Sequence, residues 1–408
     1  MEIAIVNPIL RTPNMTSAFG VEGPTVLSEE ELRLATISEL GRALADQGHY
    51  VTIYAADAYL ESEEVALSDR VTVVGVPTRL RTVFNPAAVA FAPGLGALLR
   101  QRGADVIQSG DYFQLTTLFS SQAAASMGVA FVIWQEPFRP MRSPGNWYER
   151  GFERVAGPGM RARTRCFVPR TIRARAYLER LGVSPGRISG WIPNGVDGRV
   201  FRARPGTRRP EDFGLAADLP VAVVVARLSR QKGVDLAVRA VAILRRRGRD
   251  VGLLVRGNGP ERGRLEGLVR AEGVSDLVRF VPRGSREDLV DLYNSCDLAI
   301  VPSRRDLLPY ALIEAGACGL PAVAADGGCM DDFVLDGENG LVVPPDSPEA
   351  IADGVRRLLE DEALRSRMGA AAARRFREHF ELRVTASRFS RLYSELLDGH
   401  SAGPPATA

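Results

Sequence analysis

Lysine is almost absent from this chain: of its 52 basic residues only Lys232 is not arginine. Cysteine and histidine are scarce too, with four and three in 408 residues. Cys166, Cys296, Cys318 and Cys329 form no CxxC pair and have no nearby histidine, so the common zinc sites are set aside and a reduced, cytoplasmic setting is expected. No metal or cofactor is expected. The apolar run Pro86 to Leu99 is too short to span a bilayer and is broken by Pro93 and Gly94. The opening "MEIAIVNPIL" lacks the basic start and long apolar stretch of a signal peptide and reads as a first strand. No strand is followed by G-x-G-x-x-G with a later acid, which disfavours a dinucleotide oxidoreductase.

What is present is globular. Hydrophobic residues make up 45% and charged residues 25%, and the length suits two domains of roughly 200 residues. Short apolar runs alternate with amphipathic helical stretches in both halves. "EIAIV", "YVTIYA", "DVIQS" and "AFVIW" punctuate the first half; "PVAVVVA", "VGLLVRG", "VRFVP", "LAIVPS" and "PAVAAD" punctuate the second. Strict alternation predicts parallel sheets with crossover helices, hence two Rossmann-like domains whose ligands sit beyond the carboxyl ends of the strands. The seam is expected within "VDGRVFRARPGTRRPEDFG", which puts residues 1–197, with a returning helix at about 381–400, in one domain and 198–380 in the other. A linker there predicts a cleft.

The charge is unevenly spread. Between Arg139 and Arg180 eleven arginines face three glutamates, a net +8, so the rest of the chain carries −5 of the total +3. With Phe138, Trp147, Tyr148 and Phe152 among them, these arginines suit an anionic acceptor or peripheral contact with a membrane face, and equally a solvated helical surface. No nucleic-acid motif accompanies them.

An Arg-biased genome, as in high-GC bacteria, would be expected to reach position 232 as well. Arginine is a planar fork and lysine a compact point charge, a difference that matters in a tight phosphate pocket. In "VAVVVARLSRQKGVDLAV" a buried strand ends near Arg227, and Lys232 precedes Gly233 and a helix. Two cations and a helix N-terminus then converge on a place suited to a diphosphate. In "RGNGPERG", Gly257 and Gly259 flank Asn258 after the next strand, as in a close backbone approach to a ligand or in a plain turn. "VPRGS" carries Arg283 and then Ser285 and Asp288, spaced as a capping box. In "VPSRRDLLPYALIEAGACG", Asp306 lies in the loop after a strand and Glu314 in the helix that Pro309 can start, so one carboxylate can meet a ligand at the helix N-terminus and the other can accept from a diol.

Taken in order, these pieces resemble the retaining glycosyltransferases of family 4, which have the GT-B fold. "VARLSRQKG" looks like that family's G-R-L-x-x-x-K-G, "VRGNGP" like its G-x-G-P, "RISGWIPNGVDGRVF" like its I-P-N-G-V-D-x-x-x-F, and "DLLPYALIEAGACGLPAVAADGG" like its E-x7-E segment. The resemblance implies that Arg227 and Lys232 hold the donor diphosphate. It implies that Glu314 holds the ribose and that Asp306, with the backbone of Leu307 and Leu308, holds the transferred sugar. The base would be met near Val281 to Gly284, with UDP the expected nucleotide. "SAFGVEGP" looks like the family's glycine-rich loop, with Gly20 and Gly23 close to the phosphates.

Three departures stand out. Asp306 is one methylene shorter than the family's usual Glu and is followed by Leu307, Leu308 and Pro309, which has no N–H for a sugar hydroxyl. The family's donor-side histidine is missing; Glu136, beside Gln135, takes its place in "GVAFVIWQE", where it can hydrogen-bond a sugar hydroxyl or act as a base on the acceptor. "FVPRT", from Phe167, stands where the family often has a serine after its strand, and no function is attached to it. The expected activity is metal-independent, retaining transfer of a hexosyl group from a nucleoside-diphosphate sugar to a glycan, lipid-linked or natural-product hydroxyl. The alternatives are a nucleotide-sugar epimerase on the same fold or a catalytically silent GT-B nucleotide-binding protein.

Overall fold

The computed structural model describes residues 1–8, 10, 26–80, 90–140 and 145–399. The chain divides into two compact units, Met1–Gly195 with Leu382–Ala408, and Val196–Glu381.

The first unit is built on seven strands: β1 (Glu2–Val6), β2 (Tyr50–Ala56), β3 (Glu64–Ser68), β4 (Val71–Val76), β5 (Val106–Gly110), β6 (Ala130–Gln135) and β7 (Cys166–Pro169). They lie in the order β3-β4-β2-β1-β5-β6-β7. Ile3 to Val6 are all buried, the signature of a central parallel strand covered on both faces. β3 and β4, not singled out from the sequence, form an antiparallel hairpin turning at Asp69 and Arg70. β3 ends the sheet as a short strand whose residues are mostly exposed, which blunts the edge.

The helix Leu382–Leu397 belongs to this unit. Its Leu382, Ala386, Phe389, Leu392, Tyr393 and Leu396 recur at three- and four-residue intervals, forming one apolar stripe buried in the same core as Ile37, Leu40 and Leu44. Phe389 meets Trp134 edge-on at 5.0 Å, and the Tyr393 hydroxyl bonds Gln108 Oε1.

The second unit holds β8 (Val221–Val225), β9 (Gly252–Arg256), β10 (Val278–Val281), β11 (Leu298–Val301), β12 (Ala322–Ala325) and β13 (Gly340–Val343), in the order β10-β9-β8-β11-β12-β13 and parallel throughout. The strand order reverses between β8 and β11. At such a switch point the two following loops leave in opposite directions and open a crevice. The equivalent point in the first unit lies between β1 and β5, but Gly20 and Gly23, in the loop after β1, lie outside the described residues.

Candidate functional site

The loops after β8 and β11 are locked together by glycine. After Arg227 the chain makes a tight turn at Arg230–Lys232, and Gly233, in the left-handed region at φ +66°, starts the helix Val234–Arg246. A Cβ on Gly233 would lie 2.0 Å from the Pro302 carbonyl oxygen. From the other side, Cβ atoms on Gly327 and Gly328 would lie 1.9 Å from the Ser303 oxygen and 1.8 Å from the Asp306 oxygen. The segment 302–306 is therefore gripped by bare backbone on both sides.

Polar clamps complete the grip. Arg304 forks onto both oxygens of Asp235 at 2.7 and 2.8 Å and donates to Arg230 O, while its own N–H donates to Gln231 O at 2.9 Å. Burial pushes the Asp235 carboxyl up, but the Arg304 guanidinium outweighs it and leaves the group below its usual range. Within this frame Lys232 forms an ion pair with Asp306 Oδ2. The same oxygen accepts from Ser303 Oγ at 3.2 Å, and Oδ1 accepts from the Leu307 N–H at 3.0 Å. The Asp306 carboxylate thus has three protein donors, and the Leu307 N–H is already used. Leu308 is buried. Arg227 differs: its Nε is buried with no hydrogen-bond partner among the described residues. A buried guanidinium nitrogen without an acceptor is expensive unless a ligand supplies one.

Glu314 lies on the helix Tyr310–Ala317, where its Oε2 accepts from the Tyr293 hydroxyl at 3.0 Å. Tyr293 is held well above its ordinary pKa by burial and by the Glu314 charge, so it stays a donor. Arg256, at the end of β9, is buried and donates to Ser285 O at 2.9 Å, tying together the loops after β9 and β10. The Ser285–Asp288 capping box forms, and Arg283 beside it is exposed. Gly257 and Gly259 have φ of +153° and +157°, and Cβ atoms there would lie 1.8 Å from Ala226 O and 2.3 Å from Leu228 O. Here glycine is required by the neighbouring loop, whose Leu228 N–H donates to the exposed Asn258's carbonyl at 2.8 Å.

In the first unit Glu136 stands at the carboxyl end of β6. It is 7% exposed, its N–H donates to Asp111 Oδ1 at 2.9 Å, and its Oε2 lies 3.6 Å from Arg170 Nη1. The Arg170 guanidinium stacks on Trp134, 3.9 Å from the ring centroid, and its Nε is buried without a hydrogen-bond partner among the described residues. Gln135 is wholly buried and occupied, accepting from the Tyr112 N–H and donating to Pro137 O. Ser303 was not singled out as a site residue from the sequence, and Arg170 stood only within a departure to which no function was attached. Ser303 had no local signal, since the helix that follows starts only at Tyr310 and Ser303 does not cap it. Arg170 had one in register: Gln135 pairs with Pro169, so the next residue of each strand must be adjacent.

Residues 207–375 match the model described as "Glycosyl transferases group 1", and residues 35–199 that of "Glycosyltransferase Family 4". The α-D-kanosaminyltransferase of Streptomyces kanamyceticus is 34% identical over 186 residues, covering 46% of this chain and 48% of the relative. A D-inositol 3-phosphate glycosyltransferase of Nocardiopsis dassonvillei is 35% identical over 240 residues, covering 56% and 53%. The chain spans about half the length of the curated relatives it matches. Among solved structures, HepE of Anabaena in complex with UDP superposes with a TM-score of 0.73 at 16% identity, covering 97% of this chain and all of that one. With two family models covering most of its length and this fold in both units, the chain belongs to the family 4 glycosyltransferases of the GT-B fold.

Proposed function

We propose that this protein moves a hexosyl group from a nucleoside-diphosphate sugar to an acceptor hydroxyl, with retention at the anomeric carbon. The reading is carried by the second unit's switch point, where the chain's single lysine and an arginine with an orphaned buried Nε share one loop. In this reading the diphosphate supplies the acceptor that Arg227 Nε lacks and draws Lys232 from Asp306. Charge grows on the phosphate as the bond from C1 to the diphosphate oxygen breaks, and both cations stabilise that state more than the ground state. The acceptor oxygen bonds C1 on the same face, its proton passes to the departing phosphate oxygen, and a nucleoside diphosphate leaves. No side-chain base is then required, and neutralisation by the two cations makes the transfer metal-independent. Glu314 takes the ribose diol.

Asp306, released from Lys232, turns to the sugar hydroxyls. Its short side chain and the proline at position 309 favour a donor sugar that differs from glucose at one or more hydroxyls; a clear preference for unmodified UDP-glucose in a donor panel would refute this. Glu136, held by Arg170, is the acceptor-side carboxylate, and the acceptor is a polyhydroxylated small molecule or glycan.

Titration calorimetry with UDP, GDP, dTDP and ADP on the native protein and on Lys232→Arg is the test. Binding of one nucleotide, UDP in our reading, and loss of most of that affinity in the variant are expected. If none binds, or the variant is unchanged, the reading fails. Turnover of a radiolabelled donor then separates an enzyme from a silent nucleotide binder.

A further inference from the structure

The excess positive charge of the stretch from Arg139 to Arg180 is unevenly consumed. Arg161 pairs with Glu153, Arg175 with Glu179 at 3.2 Å and Arg170 with Glu136. Arg163 donates to Ser121 Oγ, Arg165 to Gly399 O and Arg180 to Phe138 O. Arg150 and Arg154 make no hydrogen bond or ion pair among the described residues. Both stand on the helix Gly145–Val155.

At 100° per residue, Trp147, Arg150, Gly151, Arg154 and Val155 fall within an arc of about 140° on that helix. All five are exposed. Trp147 is 73% and Val155 86% exposed, more than any other large hydrophobic side chain among the described residues. The opposite face is fully engaged. Phe152 is buried against Phe113 at 5.7 Å between ring centroids, and the Tyr148 hydroxyl donates to Phe113 O at 2.9 Å. Both acids of the helix lie off the exposed face, Glu149 buried and Glu153 bound by Arg161 and the Tyr112 hydroxyl.

A face with two uncommitted arginines, no acid, an indole and an aliphatic side chain has a definite complement. Arginines at a membrane surface are drawn to anionic headgroups, an exposed indole partitions into the headgroup layer, and an aliphatic side chain enters just below it. We infer that this face of Gly145–Val155 docks on an anionic phospholipid bilayer. Two cations and two apolar side chains give weak, reversible contact that depends on lipid charge and salt. The inference is independent of the donor chemistry proposed above.

The test is co-sedimentation of the full chain with vesicles of equal parts phosphatidylglycerol and phosphatidylcholine, against pure phosphatidylcholine, at low and high salt. Binding to the anionic vesicles alone, released by salt, is expected. Each of Arg150→Gln and Arg154→Gln should weaken it roughly fivefold, the equivalent of about 1 kcal/mol per basic residue at a membrane surface. Thermal melts of these variants should match that of the native protein, which shows that they fold and needs no donor to bind, so the two proposals stay apart. A second reading uses the native protein: vesicles with quenchers on their acyl chains should dim tryptophan emission, and Trp147→Phe should remove that change while the buried Trp134 keeps its signal. Failure of the native protein to sediment, retention of full binding in the double arginine variant, or quenching that survives Trp147→Phe would each overturn the inference. So would capture of single-stranded DNA in place of vesicles by the same arginines.

Discussion

The carboxyl ends of the two sheets each hold an acid and a base, but they hold them by different means. In the second unit Lys232 and Asp306 sit on loops whose backbones touch, with Gly233, Gly327 and Gly328 leaving no room for a side chain. In the first unit Glu136 and Arg170 come from adjoining strand ends, their charged atoms lie 3.6 Å apart, and Arg170 is held by the face of Trp134. The first arrangement fixes the backbone and leaves one side chain to move; the second lets strand register fix the backbone and uses packing to fix the side chain. Backbone contact tolerates no substitution at the contact itself. Stacking tolerates some.

The largest expected effect tests that contrast directly. Gly233→Ala forces an oxygen contact and a left-handed alanine, so the second unit should lose about 3 kcal/mol or more of stability. Gly337→Ala is the control: φ is +79° but a Cβ would meet nothing within 4 Å, so denaturant melts should show only about 1 kcal/mol. Equal losses would mean that the backbone contact is not what holds the site. Next, Arg170→Met removes one cationic partner of the buried Glu136 carboxylate at a cost of about 1 kcal/mol, and adding Glu136→Gln should recover part of it; additive losses would show that the pair is not coupled. Transfer should fall in Arg170→Met while UDP affinity stays at the native level.

An effect of opposite sign is expected at Asp306. Asp306→Asn removes the anion that competes with phosphate for Lys232, so calorimetry should find UDP bound a few-fold more tightly, on the order of 1 kcal/mol, while turnover drops. Weaker UDP binding would place Asp306 as a support of the lysine and not its competitor. The smallest effect is at His49, which is 7% exposed with Nε2 2.7 Å from Ser390 Oγ. Burial, then the chain's α-ammonium, holds its pKa below the ordinary 6.5. The unfolded chain therefore takes up the proton first. The stabilising contribution is whole above pH 6.5 and is lost as pH falls through the window below it. His49→Gln should flatten that part of the melting profile between about pH 8 and about pH 5; an unchanged slope would exclude His49 as its source.

Much of the fold was legible because its evidence is local. "PVAVVVA" and "LAIVPS" are apolar runs too short for helices, and they became the adjoining strands β8 and β11 at the switch point. The hairpin β3–β4 was not: "EVALS" has only one buried position, and its pairing makes sense only beside "VTVVGV", an apolar run that was passed over. The site was legible where residue identity was unusual, as with the lone lysine. It was not where identity answers to a distant neighbour. Gly257 and Gly259 suggested close approach to a ligand, yet the backbone pressing on them is that of residues 226 and 228. Arg170 looked like a departure without purpose because its partner lies 34 positions earlier and meets it only through the pairing of β6 with β7.

One feature of the chain's path reaches beyond this molecule. The second unit is an insertion: Val196 bridges Glu381 and its N–H donates to Phe380 O at 2.9 Å, so its entry and exit segments are already bonded side by side. A segment with joined ends can be cut out or exchanged without stretching its host. Residues 196–381 expressed alone should melt cooperatively, and a recombination event at those two points would replace one whole module while leaving the other's sheet and its closing helix intact. The architecture makes the pairing of one module with another a matter of two crossovers, at joints that are distant in the gene and side by side in the fold.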